Sequence, residues 1–151
     1  MIFEVHDETE MKQFGARLGG LLGGGEIIEL IGDVGAGKTT LTKGIADGLA
    51  IDEDVQSPSF TISRVYDARD NLQLAHYDFY RLQDAGIMAS ELQETLHDPN
   101  TITIVEWADI VSGVLSEDRL SIYITPISET ARKLELKAGG TKASALMEKL
   151  A

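Results

Sequence analysis

The chain contains no cysteine, only three prolines and a single tryptophan. Without cysteine there is no disulfide framework and no thiolate metal site, which fits a reducing compartment. No stretch reaches the roughly 20 consecutive apolar residues that a membrane helix needs. The opening residues, MIFEVHDETE, are acidic where a secretory signal would carry a basic patch and then an apolar run. These absences predict a cytoplasmic protein with no membrane partner. Basic residues are also scarce: 13 Lys and Arg stand against 25 Asp and Glu, a formal charge of -12. That balance excludes a DNA-binding role, and it excludes tight RNA binding by this chain alone, because phosphate-backbone recognition needs a basic footprint.

The charge is uneven. From Asp67 to Asp118 eleven acids accompany two bases, Arg69 and Arg81, whereas from Arg119 onward six bases accompany three acids. The acidic stretch reads either as a solvated, solubilising face or as a surface that meets a basic partner.

A chain of 151 residues is long enough to bury a core as one domain, taken here as 1–151. Apolar residues at spacings of three and four (Met11, Phe14, Leu18, Leu21, Leu22) predict a first helix over Asp7–Leu22, stopped by Gly23, Gly24 and Gly25. EIIELI (26–31) is a short β-branched strand, and a helix follows from about Lys38 to Leu49. Gly44 and Gly48 weaken that helix in isolation. Residues 51–57 read as loop. FTISRVYD (60–67) and LQLAHYDFYRL (72–82) read as a hairpin, with a weakly patterned helix over 85–96. TITIVEW (101–107) is an extended run, and 108–114 is a short helix or loop. Residues 119–127 and 133–139 form an antiparallel hairpin, and 142–150 a terminal helix. Together these predict an α/β fold of the P-loop NTPase type, with three layers. A mixed, mostly parallel central sheet carries helices on both faces and an antiparallel hairpin.

The strongest local signal is GDVGAGKTT (32–40), a full Gly-x-x-x-x-Gly-Lys-Thr loop between a strand and a helix. Glycines let successive N–H groups curl around oxyanions, and the helix start adds its unpaired amides and positive dipole end. Asp33, Val34, Gly35, Ala36, Gly37, Lys38, Thr39 and Thr40 are the candidate nucleotide-binding residues. Lys38 is placed to reach β and γ phosphates and Thr39 Oγ to bind Mg²⁺. Two acids qualify to complete the magnesium shell and orient water. Glu106 ends TITIVE, where a parallel sheet would face the phosphates. Asp78 lies in AHYDFY, and strict alternation puts His76, Asp78 and Tyr80 on one strand face.

Each of these acids could also be a surface residue. His76 reads more readily as a hydrogen-bonded structural residue than as a base. Trp107 could stack on the nucleotide or anchor the core beside Glu106. Ser57, Ser59 and Thr61 could form a phosphate-sensing switch or simply cap a turn. The guanine code Asn-Lys-x-Asp is absent, as is Asp-x-x-Gly, so ATP is the expected nucleotide. A paucity of mid-chain arginines leaves no obvious charge clamp and predicts slow hydrolysis by the isolated chain.

Four blocks in this order resemble the TsaE family, also called YjeE. GDVGAGKTT (32–40) resembles the family's phosphate loop and SPSF (57–60) its Ser-Pro-Thr-Phe block. HYDFYRL (76–82) resembles its His-x-Asp-x-Tyr-Arg-Leu block and VEW (105–107) its Glu-Trp signature. The resemblance implies a small ATPase of bacterial tRNA threonylcarbamoyladenosine biosynthesis, using ATP and Mg²⁺. In this role Lys38 is the phosphate lysine and Thr39 the magnesium hydroxyl. Asp78 is the metal-site aspartate and Glu106 the glutamate of hydrolysis and the metal site. Trp107 is the tryptophan beside the nucleotide, and Ser59 and Thr61 fall within the switch-like segment. It implies TsaD-like and TsaB-like partners, with tRNA met only through their complex, which ATP hydrolysis would reset between turnovers. The rivals are a small-molecule kinase and a nucleotide-dependent adaptor without catalysis. The segment QDAGIMASELQETLHD departs from the family, with Gly86 near the place of expected acids.

Overall fold

The computed structural model describes residues 1–58, 61–84 and 86–151. Its strands are β1 (Ile2–Val5), β2 (Ile27–Ile31), β3 (Ser63–Asp67), β4 (Gln73–Asp78), β5 (Thr101–Glu106), β6 (Leu120–Pro126) and β7 (Arg132–Ala138). Its helices are α1 (Glu8–Leu21), α2 (Lys38–Gly48), α3 (Met88–Leu96) and α4 (Thr141–Leu150).

All seven strands form one sheet in the order β1-β7-β6-β2-β5-β4-β3. The inner strands β6, β2, β5 and β4 run parallel. The outer pairs β3–β4, β6–β7 and β1–β7 are antiparallel. Leucine and isoleucine of α1, α2 and α4 pack on one face with Ile28, Leu30, Ile104 and Ile122. On the other face Leu92 of α3 packs with Tyr77, Phe79, Val105 and the 108–115 segment. The α/β class, the parallel centre and the helices on both faces are as the sequence predicts. No helix among the described residues is long and apolar enough to cross a membrane.

Several boundaries differ. Ile2–Val5 is an edge strand on β7, a contact between chain ends that a four-residue run does not announce. β3 starts at Ser63 rather than at Phe60, which together with Ser59 and Ala85 lies outside the described residues. β4 ends at Asp78 rather than Leu82, because Asp78 Oδ1 accepts from the Tyr80 amide at 2.9 Å and turns the chain. β5 ends at Glu106 because Trp107 takes a left-handed conformation, φ 55°.

The glycines of α2 are explained by α1. A Cβ on Gly15 would lie 2.6 Å from Leu41 O and 2.8 Å from Ile45 N, and one on Gly48 would collide with Ala16 O. The two helices touch backbone to backbone, which only glycine permits at these positions. Asp7 caps α1, accepting from Glu10 N at 2.8 Å.

Candidate functional site

The loop after β2 closes as the sequence predicts. Ala36 N donates to Asp33 O at 3.0 Å, and Gly35 and Gly37 have φ of 83° and 111°. Gly35 to Thr40 line a cavity of about 630 Å³, together with Asp7, Thr9 and Met11 of the α1 start and Glu129, Thr130 and Arg132 of the β6–β7 turn. Asp33 and Val34 form the exposed crest of the loop, outside that lining. Thr39 and Thr40 open α2 at the cavity wall.

Lys38 divides the site. Its side chain is buried, and Nζ donates to Gly32 O at 2.7 Å. Nζ also sits 3.9 Å from Glu106 Oε1 and 3.9 Å from the centre of a Trp107 ring. Burial pushes the Lys38 ammonium below its usual pKa, opposed in part by Glu106, then Asp78 and Asp33.

Lys38 lines the cavity, and the acidic pair does not. Asp78 and Glu106 are register partners on the adjacent parallel strands β4 and β5, at the ends that face the loop. Both are buried. The alternation His76, Asp78 on one face and Tyr77, Phe79 on the other holds, since Tyr77 and Phe79 belong to the opposite core. Asp78 Oδ2 accepts from Ser57 Oγ at 3.2 Å, so one residue of the suspected switch touches the site. Thr61 is exposed, with its amide donating to Pro58 O at 3.1 Å. Ser59 is outside the described residues. Trp107 packs on Tyr80, ring centres 4.8 Å apart, so it touches both the lysine and the second core.

Two participants were less legible. His76 is fully buried, with Nε2 2.5 Å from Glu106 Oε2. Strand alternation gave its face but not its partner. Arg132 donates from Nε to Ala36 O at 3.0 Å across a sequence separation of 96 residues, and no local pattern marks it.

The donor set fits a magnesium ion. A threonine hydroxyl and one or two carboxylates are hard oxygen donors of the kind that share Mg²⁺ with phosphates and water. Among the described residues no group of three or more His, Asp or Glu could enclose a metal alone. Mg²⁺ here would therefore need ligands from the nucleotide as well.

The family model described as "Threonylcarbamoyl adenosine biosynthesis protein TsaE" matches residues 5–134. The chain belongs to the TsaE family. The TsaE match takes in every candidate site residue named above. The protein called tRNA threonylcarbamoyladenosine biosynthesis protein TsaE in Bacillus subtilis is 39% identical over 126 residues, 83% of this chain and 78% of that one. Its namesake in Streptomyces coelicolor is 38% identical over 76% of this chain and 78% of its own. A crystal structure of Bacillus subtilis YdiB superposes with a TM-score of 0.82 at 31% identity, covering 99% of this chain and 93% of the other.

Proposed function

We propose that this TsaE-family chain hydrolyses MgATP in the service of tRNA threonylcarbamoyladenosine biosynthesis, resetting a complex of TsaB-like and TsaD-like partners between turnovers. The observation that carries the catalytic part is the placement of Lys38. It stands between a phosphate-binding loop and two buried carboxylates on neighbouring parallel strands.

The loop amides and the α2 start would bind the phosphates, with Lys38 leaving Gly32 O to meet β and γ oxygens. The cavity beside Thr40 has the volume of a nucleoside site and would take ribose and base. Thr39 Oγ and Asp78 would hold Mg²⁺, with Glu106 within reach of the same shell; the ion supplies neutralisation of charge on the β and γ oxygens. Glu106 would orient the attacking water for in-line displacement. Lys38 and the loop N–H groups would stabilise the charge that grows on the phosphoryl oxygens. Arg132 is engaged with Ala36 O on the cavity side rather than with the acidic pair, which agrees with slow hydrolysis by the isolated chain. An acidic chain without a basic footprint is suited to meeting tRNA through partners.

The decisive experiment is multiple-turnover tRNA threonylcarbamoylation with cognate TsaB, TsaD and threonylcarbamoyl-adenylate, ATP present throughout. Sustained turnover with the parent chain, and none beyond the first cycle with Lys38→Ala or with no chain added, supports the proposal. Equal progress in all three reactions sinks it and returns the kinase and adaptor readings.

A further inference from the structure

His76 belongs to the strand that carries Asp78, two residues earlier and on the same face. Its ring is fully buried and does not reach the cavity that would take the nucleotide. Nε2 lies 2.5 Å from Glu106 Oε2. Among the described residues Nδ1 has no hydrogen-bond partner. A proton on Nδ1 would be an orphaned buried donor, a cost of about 1–3 kcal/mol. The hydrogen-bond network thus assigns the ring proton to Nε2, donated to the carboxylate.

The two oxygens of Glu106 consequently have different duties. Oε2 is held by the imidazole, and Oε1 is turned toward Lys38 Nζ, 3.9 Å away. A glutamate side chain has three torsions, and fixing them costs up to about 2 kcal/mol of rotamer freedom. A short hydrogen bond from a rigid strand residue meets that cost before substrate arrives.

We propose that His76 is a positioning residue for the hydrolysis reaction, fixing Glu106 so that Oε1 is presented to the γ-phosphate side of the site. The inference rests on the ATPase reading above. It adds a residue that acts on the chemical step without touching nucleotide.

The test is single-turnover ATP hydrolysis by the full chain, with nucleotide affinity measured in parallel. The variants are His76→Met, His76→Gln, Glu106→Gln and the double variant H76M/E106Q. Removing the donor in H76M is expected to lower the maximal rate roughly 10- to 100-fold, the usual effect of an outer hydrogen-bond partner. The half-saturating ATP concentration should stay within about twofold, as for a group that matters only in the transition state. In H76Q the amide nitrogen falls near the place of Nε2 and should restore most of the rate. In the Glu106→Gln background H76M should add no further loss, because the histidine acts through that carboxylate. Should H76M fail to fold, His76→Asn, whose amide is too short to reach Glu106, carries the same comparison. Three results overturn the proposal: parent-like hydrolysis by H76M, loss of affinity in step with rate, or a full additional loss in the double variant. A parent chain that hydrolyses no ATP under any of these conditions instead brings down the ATPase reading, and the positioning role falls with it.

Discussion

Lys38 shows how a single residue can work against its own fold. Its ammonium is buried beside Gly32 O and Trp107, and burial lowers its pKa despite Glu106 and Asp78. A lysine whose folded pKa is lowered destabilises the fold while charged. The penalty is present below the folded pKa and is relieved as pH rises through it toward the ordinary 10.5. The phenol of Tyr77 is pushed up by burial, so it acts in the opposite sense only above its ordinary 10.0. Urea unfolding of the parent and Lys38→Met from about pH 8 to about pH 10 should therefore show the parent gaining stability relative to the variant. A difference that stays flat across that window would refute the account. The same variant should bind MgATP no more tightly than AMP. Part of this arrangement was legible: the loop pointed to Lys38 and Thr39 and a strand end to Glu106, whereas Asp78 was read inside a longer strand and its place at a strand end beside Glu106 came from the structure. The histidine contact was not legible, because alternation fixes a face and leaves the cross-strand partner open.

At the level of elements, α1 and α2 behave as one unit, joined by close backbone contact and by a shared cap. Arg69, in the turn between β3 and β4, donates from Nη2 to Gly19 O, Gly20 O and Leu22 O at 3.0, 3.2 and 2.9 Å, and from Nε to Gly48 O at 3.3 Å. It thereby satisfies carbonyls at the ends of both helices and opposes both dipoles. Arg69→Met is expected to cost about 2 kcal/mol in urea unfolding, and Arg69→Lys should recover less than half of it, lacking the planar fork. An Arg69→Met protein as stable as the parent would remove this cap from the account. The helix glycines give a second contrast. Gly20→Ala meets nothing within 4 Å and should stabilise by roughly 0.5–1 kcal/mol. Gly15→Ala meets Leu41 O at 2.6 Å, so a net loss of about 1–2 kcal/mol is expected despite better helix propensity. Equal effects at the two positions would mean that α1 and α2 separate readily. The sequence displayed these glycines as a local weakness; their purpose lies in a neighbour some thirty residues away and could not be read from α2 alone.

Across the whole molecule, the sheet separates charge as well as packing. The acid-rich stretch 67–118 supplies β4, α3 and β5 on one side of β2, and the more basic residues from Arg119 onward supply β6, β7 and α4 on the other. Periodicity announced the strands, but their order depended on pairings far apart in sequence, such as β1 with β7. The cavity beside the loop gathers three such distant parts: the α1 start, the loop with α2, and the β6–β7 turn that Arg132 ties to Ala36 O. A ligand that touches all three should protect the fold as a whole rather than one loop. At 100 times its dissociation constant MgATP is expected to add about 2.7 kcal/mol to unfolding stability. For a domain of this size each kcal/mol raises Tm by about 2–4 °C. A shift of roughly 5–10 °C should follow in a calorimetric scan, with a single transition retained. AMP at the same concentration, lacking the phosphates that Lys38 would hold, should give a far smaller shift, and Lys38→Ala should cut the MgATP shift to about that of AMP while leaving the AMP shift unchanged. If MgATP and AMP protected equally, the binding energy would lie in the base cavity rather than in the phosphate loop, and the role assigned to Lys38 would have to be withdrawn.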